Sequence, residues 1–291
     1  MVGKKITVFD VFNVIFFAIF GLLCLYPMYY LVIYSLSNSS AIASNPTWLI
    51  PRGFTLRNYA YLFRKPEIIN AVFISASRTV LGTLITVFCS SFFAYLLNKK
   101  KLIFRKFIYR MLVLTMYLNA GVVPYVILMR TYHLNNSFLL YIIPSAVNAF
   151  YVIIIKTYME GIPDALEEAA LLDGAGHFRT YCSVIFPVCL PVIATVVIFS
   201  AVGQWNTWQD NFYLVRDRNL KTLQLQLLEY LQTMDQSIVR DVNQAVEKLN
   251  RTSSLSLKAC ISVMSMLPIM VVYPFFQKYF VKGILIGSVK G

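Results

Sequence analysis

Apolar residues run in six long blocks along this chain, at roughly 11–36, 70–97, 107–129, 138–157, 188–207 and 257–277. Each is close to the length a helix needs to cross a bilayer, about 20 residues. Alternation of polar and apolar positions over ten-residue segments, the mark of a membrane β-barrel, is absent. The pattern therefore predicts an all-α integral membrane protein with six transmembrane helices, since only helices and closed barrels satisfy the backbone in lipid. The first block follows Lys4 and Lys5, is far longer than a signal-peptide core and is read as a retained span. Polar intervals then organise the chain. Residues 1–69 hold the first helix and an outer loop interrupted by Pro46, Pro51 and Pro66, and 70–278 hold the remaining helices. Residues 279–291 form a basic tail. Within the central part, 158–187 is a long inner loop and 208–256 a long outer insertion whose Leu and Val spacing predicts further helix.

Composition agrees: 58% of residues are apolar, 13% are charged, and mean hydropathy is +0.65. The net charge of +13 is spread over loops that flank spans, which fits lipid headgroups and topology and not nucleic acid. With the N-terminus inside, thirteen Lys/Arg fall on the cytoplasmic side and twelve outside, with Arg78 within a span. The tight hairpin KKKLIFRK, residues 99–106, carries five cations, and dense short loops weigh most in orientation, so both termini are placed in the cytoplasm. The five cysteines (Cys24, Cys89, Cys182, Cys189, Cys260) are odd in number and form no CxxC, so they read as packing residues and no metal site. His133 and His177 are isolated. Asp210, Asp217 and Glu229 lack calcium-loop spacing and are expected to be solvated or against a partner.

One inner stretch runs against the charge balance. From Glu160 to Asp173 there are five acids and no Lys or Arg, and the stretch contains EEAALLDGAG at 167–176. Pro163 suits a first helical position and Gly174 the position past a helix end, giving a helix of about eleven residues, some 16 Å. Asp164, Glu167 and Glu168 share one face, with Ala165, Leu166, Ala169, Ala170 and Leu172 opposite. An amphipathic helix lying on the inner leaflet is one reading, but acids are repelled by anionic lipid and alanines bury little area. A protein groove suits a small acidic helix better. Asp164 and Glu167 favour the helix start electrostatically, whereas Asp173 sits where the dipole disfavours it, which marks it for a specific contact.

The run from Ile162, IPDALEEAALLDGAGHFRTYCSVIFPVCLP, closely resembles the EAA loop of type I ABC-importer permeases, in the carbohydrate branch typified by the smaller permease subunit of the maltose transporter. Glu168-Ala169-Ala170, Gly174, Val184, Phe186 and Pro187 match the pattern, with Phe186 where Leu is usual. NAVFISASRTVLGTLITVFCSSFFAYLLNKK, NAGVVPYVILMRTYHLNNS, QWNTWQDNFYLV and FQKYFVKGILIGSVKG extend the similarity over nearly the whole chain. The 208–256 insertion is similar to the sub-branch for complex or acidic oligosaccharides.

The resemblance implies a MetI-like core spanning 70–278 with an extra N-terminal helix, in a bacterial cytoplasmic membrane. It implies that the acidic helix is a coupling helix docked on a separate ATPase through Glu167, Glu168, Ala169, Ala170, Asp173, Gly174 and Pro187. It further implies a homologous second permease, two cytoplasmic ATPase subunits that bind ATP and Mg, and an extracytoplasmic binding protein. The chain has no GxxxxGK[ST], so it holds no P-loop of its own and is not expected to be an enzyme. Arg78, Asn148, Gln204, Trp205, Asn206 and Trp208 are the candidate lining of the translocation path. Their plainer readings are snorkelling for Arg78, interhelical hydrogen bonds for the amides and interfacial anchoring for the tryptophans. A permease for another solute is the alternative. A receptor or intramembrane enzyme would need a signalling domain or clustered catalytic groups, and neither is seen in the sequence.

Overall fold

The computed structural model describes residues 7–45, 47–118, 120–237 and 255–274. It is helical, with no strand among the described residues. Two compact units are present. Glu67–Gln226 with the described residues from Ile269 onward make one, and the residues up to Pro66 with those from Leu227 to Pro268 make the other.

In the second of these, α1 (Val8–Ser35) starts on a reciprocal cap: Asp10 N–H donates to Thr7 Oγ1 and Thr7 N–H to the Asp10 carboxylate. Nearly all of its apolar side chains are exposed, as a lipid-facing helix requires. Its C-terminal end is fixed by the loop that follows. Asn58 Nδ2 donates to the carbonyls of Ser35 and Ser37, both at 3.1 Å, and Tyr59 OH to Ser35 Oγ at 2.8 Å.

The other unit is built on α2 (Pro66–Asn98), whose buried face is a ladder of small residues: Ala71, Ser75, Gly82, Thr86, Ser90 and Ala94. Small side chains let neighbouring backbones approach, and their hydroxyls replace the hydrophobic drive that lipid cannot supply. Thr86 donates to the Ser145 carbonyl (2.7 Å), Ser90 accepts from Asn148 N–H (3.1 Å), and Ser91 bonds Tyr181 OH (2.6 Å). Two buried clusters follow. One joins Tyr95, Ile155, Tyr181, Cys189 and Ile193; the other joins Ile74, Met129, Leu140, Tyr141 and Leu214.

Three helices among the described residues are long and apolar enough to cross a membrane: α1, α2 and Leu255–Pro274. A fourth results if His177–Val188 and Leu190–Asn206, bent by 86°, count as one. The expected spans at 107–129 and 138–157 are interrupted. The first is two helices, α3 (Arg105–Tyr117) and α4 (Val122–Thr131), split where Gly121 takes φ +80°. The second is a 3₁₀ turn, Phe138–Tyr141, followed by non-helical chain to Asn148 and then α5 (Ala149–Met159). The acidic helix, α6, is Asp164–Leu172, nine residues and about 13 Å long, shorter than the sequence predicts. Pro163 lies before it with extended ψ and is not its first helical residue. The helix α7 is Leu190–Asn206 and α8 is Leu223–Ser237. The expected helicity of the 208–256 insertion holds over Gln209–Leu214 and α8. Residues 238–254, Pro46 and the 279–291 tail lie outside the described residues.

Candidate functional site

The acidic loop folds against the basic hairpin. Glu160 accepts from Lys156 Nζ at 2.5 Å and lies 3.8 Å from Arg105. Asp164 pairs with Lys100 at 2.7 Å, a hydrogen bond and charge that hold its carboxyl below the usual carboxylate range. Glu167 turns inward to Lys99, whose Nζ lies 3.8 Å over the Tyr95 ring, and Tyr95 OH donates to Glu167 Oε1 at 3.4 Å. The cations read from sequence as a topology signal are therefore also the counter-charges of the acidic loop. Opposite net charge on the two loops is the signal that would have paired them.

Glu168 and Asp173 are left out of this pairing. Both are exposed, and neither carboxylate makes an ion pair or hydrogen bond among the described residues, although the Glu168 charge is felt by Lys100 and Asp173 N–H donates to Ala169 O. Ala165, Glu168, Ala169 and Leu172 follow one another at helical i, i+3, i+4, i+7 spacing and are all exposed, Leu172 at 89%. Glu167 and Ala170 are half-buried on the other side. The three acids expected on one face are thus divided, with Glu167 serving the permease body and Glu168 projecting away from it. The helix ends in a Schellman motif: Gly174 N–H donates to Leu171 O and Ala175 N–H to Ala170 O, both at 3.0 Å, with Gly174 at φ +82°. From there His177–Val188, with Pro187 exposed near its end, leads through buried Cys189 into α7.

At the far end of α7 the chain walls a cavity of about 660 Å³. Arg78, Asn148 and Gln204, three of the candidate path residues, line it with Ser145, Tyr125, Tyr141, Tyr151 and Tyr213. Arg78 does not snorkel. It is 3% exposed and its guanidinium is held on several sides. Nε donates to Gln204 Oε1 (3.0 Å), Nη1 to Thr207 O (3.0 Å) and Asp210 Oδ1 (3.1 Å), and Nη2 to Asp210 Oδ2 (2.5 Å), while the Tyr141 ring lies 4.6 Å from Cζ. Asp210, expected to be solvated or against a partner protein, is 8% exposed and is the ion-pair partner of Arg78. Burial of a charge demands such a partner, and the reading of Arg78 as an intramembrane cation left that partner unnamed. Asp217, by contrast, caps the short turn at Arg218–Leu220.

Gln204 completes the network by donating Nε2 to Ser145 Oγ at 2.7 Å. It sits so close to α2 that a Cβ on Gly82 would lie 2.7 Å from its Nε2. Trp205 is buried at 8% exposure, Trp208 packs edge-on against Phe212 (5.9 Å), and Asn206 accepts from Gln224 at 3.1 Å. None of these three lines the cavity. Asn148 has a structural task as well, because its Oδ1 accepts from Phe150 and Tyr151 N–H and starts α5. Asn148→Ala is expected to lower stability by about 1 kcal/mol, the ordinary cost of a lost N-cap, read as a lower melting temperature of the purified complex.

Comparison with known proteins places these features in a wider set. Residues 82–208 match the pattern of the family described as binding-protein-dependent transport system inner membrane component. Polygalacturonan/rhamnogalacturonan transport system permease protein YtcP of Bacillus subtilis (strain 168) is 32% identical over 99% of this chain and 100% of its own length. Protein LplC of the same strain is 32% identical over 98% and 95%. Arabinooligosaccharides transport system permease protein AraQ, also from that strain, is 26% identical over 99% of both. A chain of the crystal structure of a bacterial ABC transporter involved in the import of the acidic polysaccharide alginate superposes with TM-score 0.83 at 28% identity, covering 94% of this chain and 96% of that one.

Proposed function

The chain belongs to the family of binding-protein-dependent transport system inner membrane components, and from that premise we propose that it forms one half of the pore of an ATP-driven oligosaccharide importer. A homologous permease supplies the other half, two cytoplasmic ATPase subunits bind ATP and Mg, and an extracytoplasmic binding protein delivers the sugar. The substrate class rests on relatives whose names specify polygalacturonan/rhamnogalacturonan and arabinooligosaccharides. Both termini and the α6 loop face the cytoplasm in this reading, and the chain passes the membrane six times.

The observation that carries it is the division of charge on α6. Glu160, Asp164 and Glu167 are tied to the permease body by close ion pairs, while the small residues beside Glu168 and the carboxylates of Glu168 and Asp173, which make no close ion pair or hydrogen bond among the described residues, are presented outward. That is the form of a helix held rigidly on one side to be gripped on the other. The mechanical route inward is short. The helix α6 packs on the Tyr181–Ile185 turn; the chain then bends by 86° into α7, which carries Gln204 to the cavity wall. Closure of two ATPases on ATP displaces α6, and the bent lever α6–Val188–α7 moves the cavity wall, so that the two permeases rock around the cavity.

The test is uptake by proteoliposomes that hold the assembly purified with this chain, supplied with its binding protein. Oligosaccharide accumulation that requires ATP inside the vesicles, together with copurification of an ATPase and a second permease, is expected. A lone stable chain that moves sugar without ATP would overturn the reading.

A further inference from the structure

The cavity wall contains two charged residues among the described residues that line it, Arg78 and Asp210, and they neutralise each other. Arg78 has little left to offer a ligand, because four donor contacts from its three nitrogens are already spent on Gln204, Thr207 O and both Asp210 oxygens. Asp210 is equally committed, with Oδ1 also accepting from Asn211 N–H at 2.7 Å. The groups that remain for a ligand are uncharged: the partly exposed rings of Tyr125, Tyr151 and Tyr213 and the exposed amides of Asn148 and Gln209. Flat aromatic faces with neutral hydrogen-bonding groups suit the apolar face and the hydroxyls of a pyranose and offer a carboxylate hydrogen bonds but no counter-charge.

We infer that Asp210 is a specificity-determining residue: by masking Arg78 it keeps this half of the path selective for uncharged sugar surface, so that any carboxylate on the substrate is met outside this chain's cavity. This rests on the oligosaccharide-importer reading above. Its consequence is specific. With Asp210 neutralised, Arg78 becomes a cation without a counter-ion at a cavity wall, where the surrounding low dielectric makes an anion the strongest available partner.

The experiment uses the complete transporter in proteoliposomes and two probes of equal length, a neutral galactan trisaccharide and trigalacturonate. In Asp210→Asn the ratio of trigalacturonate to galactan uptake is expected to rise about tenfold over wild type. In the charge-free pair Arg78→Gln/Asp210→Asn it is expected to return to the wild-type ratio at a lower overall rate. An unchanged ratio in Asp210→Asn overturns the inference. So does selective loss of trigalacturonate uptake in Arg78→Gln/Asp210→Asn, because that means Arg78 already reads the carboxylate in the wild type. The double variant decides the matter even if Asp210→Asn does not assemble. Failure of the importer reading shows separately, as wild-type uptake of the probes that does not depend on ATP.

Discussion

Glu168→Lys is expected to leave the permease folded in the membrane and to reduce ATP-driven uptake to the level without ATP. The residue is exposed and unpaired among the described residues, so its replacement lies within the small range typical of surface sites, about 0.5 kcal/mol either way. Its effect falls on the partner. Reversing a charge in the centre of a docked helix costs about 2–5 kcal/mol of association, enough to detach the ATPase or let it hydrolyse without driving the pore. Gly174→Val tests the same surface by another route. Open space surrounds the added Cβ, so the change acts through the backbone: φ +82° is costly for a β-branched residue, about 1–2 kcal/mol or more. The helix end then rearranges and Asp173 moves with it. Uptake and ATPase activity measured together on the same vesicles check both variants; uptake that survives in both removes α6 as the coupling element.

The second large effect is on stability. Arg78→Ala strands the Asp210 carboxylate at 8% exposure with its two guanidinium contacts gone, and breaking one side of a buried pair costs about 3–5 kcal/mol. It also removes the donor that orients Gln204, whose other contact is Ser145. Arg78→Ala/Asp210→Ala is expected to recover part of that loss, since no uncompensated charge remains. Thermal unfolding of the purified complex in the two variants gives the comparison. Equal destabilisation by the single and double substitutions would mean that packing, and not charge, holds this wall together.

Local features were legible in the sequence because they depend on neighbours in the chain. The acidic helix, its Gly174 stop and the small-residue character of α2 are all of this kind. The hydropathy blocks also located the helices Val8–Ser35, Pro66–Asn98 and Leu255–Pro274 to within a few residues. Blocks 107–129 and 138–157 looked like the others because an average over 20 residues does not register one glycine at φ +80° or one asparagine that starts a helix. The network at the cavity was not legible for a different reason. Arg78 and Asp210 are 132 positions apart, and Asp210 sits between polar neighbours in a stretch that reads as outer loop. An arginine deep in an apolar block announces that a counter-charge exists, but only the packing of α2 against the chain after α7 selects which. Aromatic residues near span ends are conspicuous in sequence, yet here Trp205 is buried and Trp208 packs on Phe212, so the rings that face the cavity are tyrosines.

In this reading the outward face of α6 is where the ATPase takes hold. A photo-crosslinking residue placed at Glu168, and another at Leu172, in the assembled transporter tests it most directly. A covalent adduct with the ATPase subunit is expected at both positions, with a yield that changes when ATP is bound. Adducts confined to lipid at both positions would contradict it and make α6 a membrane-surface helix.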